Sequence, residues 1–112
     1  MKRVVLGLTQ RIIIYGKNKQ KTVIARVDTG ATKASIDKTL AKQLKLVPGT
    51  KTRIVRSAHG ISKRPVVEIR IKINNKILKA DFTIAERSHL TYPVLVGQNI
   101  LKAGKFIIDP LK

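Results

Sequence analysis

The chain has 112 residues, of which 24 are Lys or Arg and only 6 are Asp or Glu, giving a formal net charge of +18 at pH 7. That length supports one domain, residues 1–112, with one core, so a site that needs two lobes must borrow the second from another chain. The absence of cysteine excludes disulfides, thiolate zinc ligands and a Cys nucleophile. Apolar runs well below about 20 residues exclude a membrane-spanning helix.

Taken in chain order, residues 4–8, 11–15 and 22–27 are short runs rich in β-branched side chains, separated by polar breaks such as Gly16-Lys17-Asn18-Lys19-Gln20. They predict strands forming a β-meander. Ser35 in front of Ile36-Asp37-Lys38-Thr39-Leu40-Ala41-Lys42-Gln43-Leu44 predicts an N-capped amphipathic helix that stops before Pro48-Gly49. Residues 50–56 alternate again and lead into Ser57-Ala58-His59-Gly60, a small-residue turn that reads as a hairpin tip. Residues 66–73 and 76–84 predict a second hairpin across Asn74-Asn75, with Glu68, Arg70 and Lys72 facing water and Val67, Ile69, Ile71 and Ile73 facing a core. A strand over 92–96, a helix over 98–103 and a final strand over 106–109 complete the chain. The start of the sequence is too brief for a signal h-region, so a soluble cytoplasmic protein is expected, and its Lys- and Ile-rich composition would suit a thermophile.

The scarcity of acids singles out Asp28, where the apolar run Val23 to Val27 breaks into Thr29-Gly30. A carboxylate in that setting needs a partner or a function. Gly30 lets a second backbone approach and Thr29 offers a hydroxyl to tie it down; the alternative is a surface turn in which Asp28 caps its own backbone.

The string Val27-Asp28-Thr29-Gly30-Ala31-Thr32-Lys33-Ala34-Ser35, followed some 65 residues later by Pro93-Val94-Leu95-Val96-Gly97-Gln98-Asn99-Ile100-Leu101, resembles the retropepsin family of aspartic proteases. With Val55 to Gly60, Arg64-Pro65-Val66-Val67, Glu86-Arg87-Ser88 and Phe106 to Asp109, the chain is similar in particular to a small retropepsin-like family labelled ATP-dependent zinc proteases, encoded near ATP-grasp ligases that append glutamates to proteins. The resemblance implies an all-β, single-lobe closed barrel with one or two short helices. It also implies an aspartic endopeptidase active as a homodimer, with Asp28, Thr29 and Gly30 as its catalytic turn. Ala31 would line the substrate cleft, and Ser57, Ala58, His59 and Gly60 would form a flap over it. Viral members carry an Arg after the glycine paired with an acid two positions beyond the Asp-Thr-Gly. Here those positions are Gln98 and Thr32, so the loop must be braced otherwise.

Neither zinc nor ATP is expected, and no cofactor is assigned. His59 and His89 are the only histidines, no His-Glu-x-x-His occurs, and no Gly-rich loop ends in Gly-Lys-Ser or Gly-Lys-Thr. Asp109 is expected to be structural or interfacial. The positive charge points to acidic partners: a Glu-rich polypeptide steered into a cleft edged by Arg53, Arg56, Lys63 and Arg64 is the expected substrate, with no membrane partner. Two other readings remain open, a dimeric binding or adaptor module without catalysis and a basic nucleic-acid-binding protein, the latter weakened by having only two Tyr and two Phe.

Overall fold

Alternation along the strands decides which side of the sheet faces inward, as a computed structural model of the chain shows; it describes residues 2–58 and 60–112, the side chain of Ser57 excepted. The strands are β1 (Val5–Leu6), β2 (Thr9–Gly16), β3 (Lys19–Val27), β4 (Ala34–Asp37), β5 (Thr52–Ser57), β6 (Gly60–Ile73), β7 (Lys76–Ala85), β8 (Val94–Val96) and β9 (Ile107–Ile108). Two one-to-two-turn helices interrupt them, α1 (Lys38–Gln43) and α2 (Gln98–Ala103). Strand order β2-β3-β8-β4-β7-β6, with β6 pairing back onto β2, closes a six-stranded barrel. Closure removes the unpaired edges that an open sheet would present. The all-β barrel with two short helices is therefore as expected.

Ile12 and Ile14 of β2, Val23, Ala25 and Val27 of β3, and Val67, Ile69, Ile71 and Ile73 of β6 point inward at every second position. They meet Phe82, Val94, Val96 and Ile100 in one core. Each fully buried aliphatic side chain contributes about 1.5–3 kcal/mol.

Two expectations fail. Residues 35–37 are strand, not helix: β4 lies between β7, to which it runs parallel, and β8, to which it is antiparallel, and all four of its residues are buried. Ser35 does not cap the helix; Asp37 does, its Oδ2 accepting from the Thr39 N–H at 3.2 Å. Ladder bonds on both sides outweigh the local capping pattern. The first third is likewise not a simple meander, because β1 leaves β2 and pairs in parallel with β9. The Asn74-Asn75 hairpin, α2 and the outward register of Glu68, Arg70 and Lys72 are as read from the sequence.

The crossing that matters for function lies at β8. Strand β8 sits between β3 and β4, so the connection 28–33 must pass over its end. Gly97 lies beneath that crossing, where a Cβ would come within 2.6 Å of the Lys33 carbonyl carbon. No other residue leaves room for the loop.

Candidate active site

Asp28 leaves β3 at the barrel end with its N–H donating to the Val96 carbonyl at 2.9 Å, which fixes it to the end of β8. Its Oδ1 accepts from the Gly30 N–H at 2.9 Å, and its own carbonyl accepts from the Ala31 N–H at 3.3 Å. Such a tight turn is what a surface Asp would also make; here its last residue, Gly30, borders a cavity. Asp28 is half-buried, whereas Thr29 and Gly30 are exposed.

Amides from α2 brace the loop where viral retropepsins use an ion pair. The Gln98 side chain donates from Nε2 to the Thr29 carbonyl at 2.8 Å, and its backbone N–H to the Ala31 carbonyl at 2.8 Å. Asn99 accepts from the Ala34 N–H through Oδ1 at 2.9 Å and donates from Nδ2 to the Asp81 carbonyl at 2.8 Å. One planar group thereby ties β4 to β7.

Beside the turn is a cavity of about 340 Å³. Gly30, Ala31 and Thr32 form one side, and Arg53, Arg56 and Arg64 of the β5–β6 hairpin overhang it. Arg53 and Arg64 are directly opposite each other in the ladder, so two like charges face the same space. Lys63, expected at this edge, is exposed and does not line the cavity, although its ladder partner Ile54 does.

The floor holds two residues that the sequence reading did not assign to the site. Ser35 is buried, and its hydroxyl has no hydrogen-bond partner among the described residues. Arg87 is half-buried, its Nε donating to the Tyr92 carbonyl at 3.1 Å and its backbone N–H to Asp37 Oδ1 at 2.8 Å. Burial, and after it the neighbouring Arg64 guanidinium, push the Arg87 pKa below its ordinary value; Asp37 pulls it up, Arg26 lowers it and Asp28 raises it. The guanidinium is half-buried and forms no ion pair with a carboxylate among the described residues. Ser35 in front of a helical pattern reads locally as a helix cap, and no local pattern around Arg87 shows that it turns inward.

Of the expected flap residues, Ala58 is exposed and Gly60 adopts a left-handed conformation at φ 109°. Ser57 closes the β5–β6 ladder opposite Gly60; His59 lies outside the described residues. Asp109 is structural: its N–H donates to the Leu6 carbonyl at 2.8 Å and its Oδ1 accepts from the Leu111 N–H at 2.9 Å. Among the described residues no group of three or more His, Cys, Asp or Glu gathers as a metal site would require, and no helix is long and apolar enough to cross a membrane.

The sequence profile of the RimB-like family, described as the retropepsin-like aspartic endopeptidase RimB, matches residues 39–112. The chain belongs to this family. The match begins after the Asp28-Thr29-Gly30 turn, whose position in the barrel is therefore a separate observation. Solved structures that share the fold include the following three. A protein of unknown function from Legionella pneumophila superposes with a TM-score of 0.72 at 21% identity, covering 99% of this chain and 96% of the other. The EIAV protease in complex with the inhibitor HBY-793 gives 0.65 at 18% identity, covering 85% of each. The simian foamy virus protease gives 0.61 at 16%, covering 84% of this chain and 91% of that one. No protein of curated function matches the sequence. The RimB-like chain is thus a retropepsin-like barrel.

Proposed function

We propose that the chain is one half of an aspartic endopeptidase that acts as a homodimer on acidic polypeptides. The observation that carries the reading is the Asp28-Thr29-Gly30 turn, closed by the Gly30 N–H to Asp28 Oδ1 bond, with Gly30 bordering an arginine-lined cavity. One chain supplies one such turn, and the chemistry requires two carboxylates about 3 Å apart, a separation at which like charges share a single proton. A two-fold axis between Asp28 and its mate provides that pair.

The ionised carboxylate takes a proton from the attacking water, and the oxygen so activated bonds to the scissile carbonyl carbon. The protonated partner donates to the carbonyl oxygen. Collapse of the resulting diol breaks the C–N bond, and the amide nitrogen leaves with a proton. Gln98 and Asn99 keep the loop in place while protons move, and Thr29 would bond across the axis. The substrate enters as an extended strand between the turn and the β5–β6 hairpin.

Acidic side chains fit the cavity because Arg53, Arg64 and Arg87 converge there without a paired carboxylate, and the unsatisfied Ser35 hydroxyl offers a further donor. An arriving carboxylate relieves both the like-charge repulsion and the desolvation of Arg87.

Cleavage of a Glu-rich peptide, followed by mass spectrometry, tests the reading. Asp28→Asn should abolish cleavage and leave the folded dimer and peptide binding intact. Cleavage retained by that variant would sink the aspartic mechanism, and peptide binding without cleavage by the unaltered protein would make the chain a binding module.

A further inference from the structure

We infer that the outer wall of the barrel, on β2, β6 and β7, is a second site that binds single-stranded nucleic acid. The strand register sets its composition. Tyr15, Arg70 and Lys79 stand opposite one another across the three strands, and Ile13, Lys72 and Ile77 form the adjacent row. All six lie on the face opposite the buried Ile12, Ile14, Ile69 and Ile71. Arg11 extends the surface along β2.

Two features go beyond a solvated basic face. The Arg70 guanidinium carbon stacks 4.7 Å from the centroid of the half-buried Tyr15 ring. Flat groups of this kind give a base something to stack on, which a lysine-rich surface alone does not. Ile77, at 57% exposure, and the half-buried Ile13 flank Lys72 in the next row, so apolar surface is interleaved with charge. Shallow hollows of about 500 Å³ beside Tyr15, Lys19 and Arg70, and about 400 Å³ beside Arg11, Ile13 and Lys72, indent the same wall.

The acids are placed to leave this surface uncompensated. Of the six, Asp28 and Asp37 belong to the active-site end, Glu86 follows β7, and Asp109 closes the terminal turn. Glu68 and Asp81 face each other at the site-ward end of the wall, and Asp81 is engaged by Lys33 and Lys51 at 3.5 and 3.3 Å. Beyond them the face carries only positive charge among the described residues.

A single strand fits better than the other polyanions. Its phosphates meet Arg70, Lys72 and Lys79 while its splayed bases reach Tyr15 and the isoleucines. A poly-glutamate chain or an anionic bilayer presents no aromatic base to stack against the Tyr15–Arg70 pair. The wall is also remote from catalysis: Gln20, opposite Tyr15, precedes Asp28 by eight residues of β3 and its turn, about 25 Å at the rise of a strand. Both sites can be filled together, so a nucleic-acid-bound assembly could present an acidic protein tail to the cleft.

The test is fluorescence anisotropy of a labelled 15-nucleotide RNA of mixed sequence, titrated with the dimer over a range of KCl concentrations. The triple variant Arg70→Gln, Lys72→Gln, Lys79→Gln should weaken binding at least tenfold and reduce the log–log salt slope by about 2. Tyr15→Leu should weaken it about tenfold with the slope unchanged, while Tyr15→Phe retains affinity. A charge-matched triple on the helices, Lys38→Gln, Lys42→Gln, Lys102→Gln, should change it less than twofold. Equal losses from the two triples, an unaffected Tyr15→Leu, or equal dependence of a poly-glutamate peptide or phosphatidylserine vesicles on the wall residues would overturn the assignment. Asp28→Asn should bind RNA as the parent does, which separates failure of this site from failure of the protease reading.

Discussion

Arg87 is the residue whose environment says most about substrate choice. A guanidinium held by one carbonyl, half-buried and facing Arg64, is costly unless an anion arrives. Arg87→Met should therefore fold at least as stably as the parent and lose discrimination between Glu and Gln in a cleaved peptide. The expected change is a tenfold to hundredfold fall in kcat/KM for the Glu peptide, since a charge-assisted bond is worth about 1.5–3 kcal/mol. Cleavage of the Gln peptide should change little. Parallel kinetics on the two peptides decide the matter, and an unchanged Glu-to-Gln ratio would exclude Arg87 from recognition.

Among the elements, the junction of α2 with the two loops it supports replaces an ion pair by amides. Asn99 serves two backbone groups at once, the Ala34 N–H and the Asp81 carbonyl. Asn99→Ala leaves both half-buried and unpartnered. The expected loss is about 2 kcal/mol, read as a lower denaturant midpoint at fixed protein concentration. Gln98→Ala releases only the exposed bond to the Thr29 carbonyl; its loss of stability should be under about 1 kcal/mol, with a larger relative loss of kcat. Much of this region was legible beforehand. The glycine, the helix and the missing ion pair are all in Gly97-Gln98-Asn99 and Thr32. That Asn99 reaches β7 was not, because Asp81 lies 18 positions away and only the parallel pairing of β4 with β7 brings it near.

At the scale of the whole molecule, the proposed chemistry belongs to two chains. Specific activity should fall on dilution below the dimer dissociation constant, with the rate becoming second order in protein. Sedimentation velocity should show the same transition. Activity per chain that stays constant while the protein is monomeric would mean that one Asp28 suffices. The +18 charge acts at this scale too, raising the capture rate of acidic substrates at low salt and losing that advantage as the Debye length shrinks.

Patterns that repeat every two residues, and turns that need a particular residue type, are local, and they were readable in the chain. The inward isoleucines of β2 and β6, the Asn74-Asn75 hairpin and the Asp28 turn all come from neighbours within a few positions. The fate of residues 34–37 was not readable, because a Ser in front of a helical pattern caps a helix in isolation and only the two flanking strands make it part of a sheet. The same holds for the inward Arg87, the orphan Ser35 hydroxyl and the exposed Lys63. Each depends on which strand lies alongside, and strand order is settled by burying the common core rather than by any local preference.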